Sequence, residues 1–231
     1  MKLFERFRTK SPKVADLAAA SHGGADLPGQ WTREREAFYR RFFGHRLTMS
    51  QDMIPHSRGV QVLVYGPQQG RNFYTLATSG MSDFVMPPPS EGADVPRRIE
   101  IIMRVPEIQV TPNAEDLPWQ IKLLLRVATF PKQHNKWIGA FQEMTNGTPP
   151  KPICPGSKLI ASVLLPPMYE NAAFTNGLIL NNGPKIDFLL LDFLTEAECG
   201  YRHKNGRAAL LRLLESNRHT PVLNVHRNSY V

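Results

Sequence analysis

Apolar and polar positions change period several times along the chain, and each change marks an element. In TREREAFYRRFFG (32–44), Phe38, Phe42 and Phe43 recur at helical spacing, with Thr32 placed as an N-cap and Gly44 as a stop. From Gly59 the period shortens to two. Val60, Val62 and Val64 alternate with Gln61, Leu63 and Tyr65, PQQG makes a turn, and RNFYTLAT makes a second strand, together a hairpin. A third strand follows in RRIEIIMRV, where Ile99, Ile101 and Met103 alternate with Arg98, Glu100 and Ile102. LPWQIKLLLRVATF returns to helical spacing through Trp119, Leu123, Leu124 and Val127, and Pro131 is expected to end it.

The stretch EMTNGTPPKPICPGS is rich in turn residues and predicts an irregular excursion. Strands resume in KLIASVLLPP and KIDFLLLDFL, the latter apolar on both faces as a central strand must be. Thr195 and Glu198 have capping-box spacing and open a helix running to about Ser216, with a break at Asn205-Gly206. The tail HTPVLNVHRNSYV is expected to add one more extended segment. The order α-β-β-β-α-β-β-α predicts an α+β domain: a mainly antiparallel or mixed sheet with flanking helices. That domain spans 31–231. Residues 1–30 make a basic N-terminal arm and flexible linker, with Leu3, Phe4 and Phe7 on one side of a short amphipathic turn.

Composition narrows the class. Hydrophobic residues at 42% supply a core, and the longest apolar runs are strand-length, so no membrane span is predicted. Cys154 and Cys199 form no CxxC pattern, which argues against a disulfide framework and points to a reducing cytoplasm. The net charge of +8 is concentrated in 1–13, 32–46 and 201–231. Such a surface suits an acidic partner. No RNP-like, zinc-finger or helix-turn-helix pattern accompanies it, which argues against nucleic acid.

Catalytic constellations are incomplete. In YTLATSGMSD (74–83), Ser79 and Ser82 have the hydroxyls of a serine hydrolase, but Gly80 stands between them rather than flanking one as G-x-S-x-G requires. The alternative is a glycine-permitted turn after a strand, with Met81 inward and the hydroxyls satisfying nearby backbone groups. Cys199 and His203 share a helical face but lack two further ligands for zinc. Asp187 and Asp192 point to opposite strand faces and cannot share a proton. No phosphate-cradling glycine motif occurs, so neither metal nor cofactor is expected. Trp119 and Trp137 sit near the two ends of one helix, as core residues or, beside a groove, as binding anchors.

These same residues resemble the suppressor-of-fused domain family in its bacterial single-domain form. FYTLATSGMSDFVMPPP, IEIIMRVP, LPWQIKLLLRVATFPKQHNKWIG, TNGTPP and LLLDFLTEAE…NGRAALLRLLE follow the family's order over about 170 residues. Where family members carry a histidine-threonine pair before the asparagine-glycine turn, this chain has Phe141 to Met144, so no role tied to that histidine transfers. The resemblance implies a non-enzymatic, protein-binding role. Its animal member sequesters a transcription factor by gripping an extended peptide between two domains, and this chain is long enough for only the first of them. Bacterial relatives are proposed as immunity proteins that neutralise polymorphic toxins. The expectation is therefore a cytoplasmic module that binds a toxin or other acidic protein, with Tyr74, Ser79, Met81, Asp83, Trp119 and Trp137 as candidate contacts.

Overall fold

The computed structural model describes residues 27–47, 59–108, 117–181 and 183–231. Residues 1–26, which hold most of the expected arm including Leu3, Phe4 and Phe7, lie outside the described residues. The first helix, α1 (Leu27–Phe43), starts five residues before the expected cap at Thr32. Pro28 falls in its first turn, where no intrahelical amide bond is required. The helix therefore occupies the end of the segment expected to be linker.

Eight described strands build one mixed sheet. They are β1 (Arg46–Leu47), β2 (Gln61–Tyr65), β3 (Tyr74–Ser79), β4 (Ile99–Val105), β5 (Glu143–Thr145), β6 (Leu159–Leu165), β7 (Leu178–Ile179) and β8 (Lys185–Thr195). Their order is β1-β2-β3-β4-β8-β6-β5, with β7 paired separately to the start of β8. Val62 faces Thr78 and Leu76 faces Met103 in antiparallel pairs, whereas Ile101 and Leu189 belong to the one parallel pair. The expected hairpin and the central position of β8 are both present. EMT, however, is not irregular: β5 pairs with β6 at Glu143–Val163, because backbone pairing overrides a turn-rich neighbourhood.

Helix α2 (Trp119–His134) covers one face of the sheet. Leu124 packs there with Val64, Leu76, Ile101, Met103 and Leu191. The opposite face carries α1 through Tyr39 and Phe43, and farther along it α4 (Glu196–Asn205) and α5 (Arg207–Ser216) through Cys199, Leu210 and Leu214. Strand β4 is consequently buried at every position, Glu100 and Arg104 included. A short helix, α3 (Ala172–Thr175), brings Phe174 into the aromatic cluster around α1.

Pro131 does not end α2. It lies in the last turn, where it forfeits a single amide bond while its own carbonyl still accepts from Asn135 and Lys136. The break between α4 and α5 falls at Gly206, as expected, with φ of 83°. The tail forms no strand. It folds back across the end of the sheet and is held by side chains instead of a ladder.

Candidate functional site

The turn after β3 is built around two buried charges. Gly80 has φ of 109°, and a Cβ there would lie 2.3 Å from the Gly59 carbonyl oxygen, so only glycine fits. Glu100 reaches into the turn from β4. Its carboxylate accepts from the Gly80 amide at 2.9 Å, the Ser82 amide at 3.1 Å, the Ser82 hydroxyl at 2.7 Å and the Thr78 hydroxyl at 2.6 Å. Arg35, with no exposed surface, enters from α1. Its guanidinium donates to Ser79 Oγ at 3.0 Å, Ser82 Oγ at 3.1 Å and Asp83 Oδ1 at 2.6 Å. Burial alone would lower the Arg35 pKa, but Glu100 and Asp83 outweigh it and raise it. The hydroxyls thus serve long-range ionic partners rather than nearby backbone alone. Neither serine bonds a histidine among the described residues, so this turn is an interior joint between α1, β3 and β4.

A second polar constellation fixes the tail. Glu198 completes the expected capping box with Thr195, and its carboxylate also accepts both Arg227 Nη atoms, at 2.6 and 2.7 Å, and the Tyr230 amide at 3.1 Å. Burial pushes the Glu198 pKa up, but the Arg227 hydrogen bonds and the backbone donors pull it below its ordinary value. Asp192 meets His219 Nε2 at 2.7 Å, and Tyr230 Oη meets the other ring nitrogen at 3.0 Å. These contacts replace the extended segment expected for 219–231. They anchor irregular backbone without strand pairing.

The open concave surface lies elsewhere. A cleft of about 680 Å³ runs between the segment 137–142 and the junction of α4 with α5. Trp137 forms one wall. Its Nε1 donates to the Pro96 carbonyl at 2.9 Å, and its ring lies against Gly139, where a Cβ would meet it at 2.1 Å. Phe141 forms the floor with φ of 68°, a conformation that strains a bulky side chain by about 1–3 kcal/mol. Two contacts hold it there: its amide donates to the Leu164 carbonyl at 2.6 Å, and Arg202 Nη2 donates to its own carbonyl.

Arg207 lies over the Phe141 ring at 5.6 Å from the centroid, in cation–π contact. Arg202 bonds Glu143 at 3.1 Å through Nη1, while its Nε is buried without a partner. His203 completes the rim beside Glu143. Gly206, the residue before α5, supplies no side-chain cap to that helix. The segment 201–212 holds four Arg or Lys residues and no acid, so the cleft presents cations beside aromatic surface. It is shaped to take an anionic group flanked by apolar ones.

Cys199 is buried, and burial, followed by Glu143, pushes its thiol up to about 12, so it stays protonated at neutral pH. Among the described residues no group of three His, Cys, Asp or Glu side chains is placed to hold a metal ion.

The sequence-derived candidates separate. Ser79 and Met81 are inside the protein at 2% and 4% exposure, and the Asp83 carboxylate is engaged by Arg35. Tyr74 and Trp119 are half-buried against the α2-side core. Trp137 alone of the six lines the cleft. Phe141, Arg202, His203 and Arg207 were not singled out as contacts. Their visible signals are the basic run of 201–212 and its interruption by a glycine. Arg35 also had a signal: it lies four residues before Tyr39, on the inward stripe of α1.

The fold matches solved structures at low sequence identity. A SUFU homolog from Neisseria gonorrhoeae FA 1090 superposes with a TM-score of 0.61 at 14% identity, covering 87% of this chain and 97% of that one. A chain of the Sufu–Fu complex matches with a TM-score of 0.56 at 15% identity, covering 86% and 90%. Drosophila Suppressor of Fused gives a TM-score of 0.55 at 15% identity; the match covers 86% of this chain but only 50% of that one. No curated protein matches the sequence. The profile of the Suppressor of fused protein (SUFU) family matches residues 56–228, which take in the joint at Gly80, the cleft and most of the tail. The α+β architecture and the sequence match agree, and the chain belongs to the suppressor of fused family.

Proposed function

We propose that the chain is a non-enzymatic, cytoplasmic binding module that neutralises a polymorphic toxin by forming a stoichiometric complex with it. The observation that carries this reading is the contrast between the two serines and the cleft. Ser79 and Ser82 are tied to Arg35 and Glu100 inside the joint, while the aromatic and cationic side chains converge on an open surface. Family membership supports it, since one solved relative is a complex between Sufu and Fu. Strand β5, at one edge of the sheet and bordering the cleft through Glu143, supplies a place for backbone pairing with an extended segment. Among the described residues no helix is long and apolar enough to cross a membrane.

The test is co-expression with the toxin-like proteins encoded nearest to it, followed by size-exclusion chromatography with light scattering. A complex of fixed stoichiometry, together with restored growth of the toxin-expressing cells, is expected. Protection without a complex, at far fewer copies of this chain than of the toxin, contradicts the reading and favours catalysis.

A further inference from the structure

We infer that the cleft between Trp137 and the α4–α5 junction is a receptor for an acidic polypeptide segment, one that sets a carboxylate beside an aromatic or large aliphatic residue. This deepens the protein-binding reading and rests on it. The argument begins with charge. Arg207 is exposed, and its guanidinium lies on Phe141 without an acidic partner among the described residues, so its N–H fork is free to meet a carboxylate. Arg202 lines the same cleft and adds a second cation beside it, with its Nη groups fixed by Glu143 and the Phe141 carbonyl.

Shape gives the second half. Trp137 is pinned by the Pro96 carbonyl and by the closeness of Gly139, so it meets a ligand side chain as a rigid wall. Phe141 is held in a strained conformation by Arg202 and Leu164. That arrangement is a bulge continuing the β5–β6 pairing, with Phe141 and Gln142 both bonded to Leu164, and it turns the ring under Arg207. Glu143, ion-paired to the cleft residue Arg202, limits the occupant. It would repel a continuous run of phosphates, whereas a single carboxylate can sit at Arg207 away from it. This favours an acidic peptide over a nucleic acid.

The experiment uses the whole chain, immobilised and panned with a display library of short random peptides, and compares it with the variant Arg207→Glu. Arg207 is exposed, so the reversal is expected to leave the fold and the circular dichroism spectrum unchanged. The expected result is enrichment of peptides that place Asp or Glu next to an aromatic or aliphatic residue. Their binding should change tryptophan fluorescence in the parent but not in Trp137→Phe, and weaken at least about tenfold in Arg207→Glu. Three results overturn the inference: no acidic preference among selected peptides, acidic peptides whose binding ignores Arg207→Glu, or their displacement by a single-stranded oligonucleotide in preference to free acidic peptide. The selection needs no toxin, so its failure is separable from failure of the neutralisation reading. A neutralising complex that survives Arg207→Glu sinks this inference alone.

Discussion

Two residues decide whether the interior of this protein can hold charge. Arg35 and Glu100 approach to 3.6 Å with no exposed side-chain surface, and each is surrounded by hydrogen-bond partners. Arg35→Leu leaves the Glu100 carboxylate buried without its cation, and urea unfolding should show a loss of about 3–5 kcal/mol. Ser79→Ala removes one acceptor among several and should cost about 1 kcal/mol. A pair of equal losses would mean that the joint is not organised around the ions. Glu198 makes a pH prediction. Its folded pKa lies below the ordinary 4.5, so its stabilisation is complete above that value and is lost as pH falls through the folded pKa. Glu198→Gln should therefore lower stability at neutral pH and flatten its decline below about pH 4.5. An acid limb unchanged in steepness would contradict the role of Arg227 and Tyr230 in holding that carboxylate.

Elements were legible where periodicity carried the information. The hairpin, the central strand β8, the capping box and the break at Gly206 follow from alternation, apolar run and glycine placement. What periodicity cannot express is a partner distant in sequence. Glu100 alternates with isoleucines like a solvent-facing strand residue, and only the turn that follows the neighbouring strand β3 explains its burial. Strand β5 is three residues long, too short to register against its turn-rich surroundings. The tail escaped because side chains fix it. The cleft was least legible of all, since 137–142 and 202–207 meet only after the sheet forms. Two glycines test these joints. Gly80→Ala must relieve a 2.3 Å contact at a positive φ and should destabilise by at least about 2 kcal/mol in thermal or urea unfolding. Gly139→Ala should leave global stability nearer the parent but displace the Trp137 ring, read as a shift in its fluorescence. Parent-like emission with intact folding would show that Gly139 does not position the wall of the cleft.

At the scale of the molecule, the +8 charge is not spread evenly. Basic residues of α1 join the interior through Arg35, those of the tail lock it through Arg227, and those at the α4–α5 junction are left facing the cleft. The same residue type thus holds the fold together in two places and offers a surface in a third. That division is why net charge alone suggests an acidic partner without placing its site. On the proposed function, binding itself neutralises the partner. Titrating this chain into a fixed amount of a toxin that it is proposed to neutralise, with residual toxin activity as the readout, puts this to the test. A linear fall that ends near equimolar protein, with an endpoint that does not move with incubation time, is expected. Complete loss of toxin activity at far below equimolar protein, advancing with time, would contradict it.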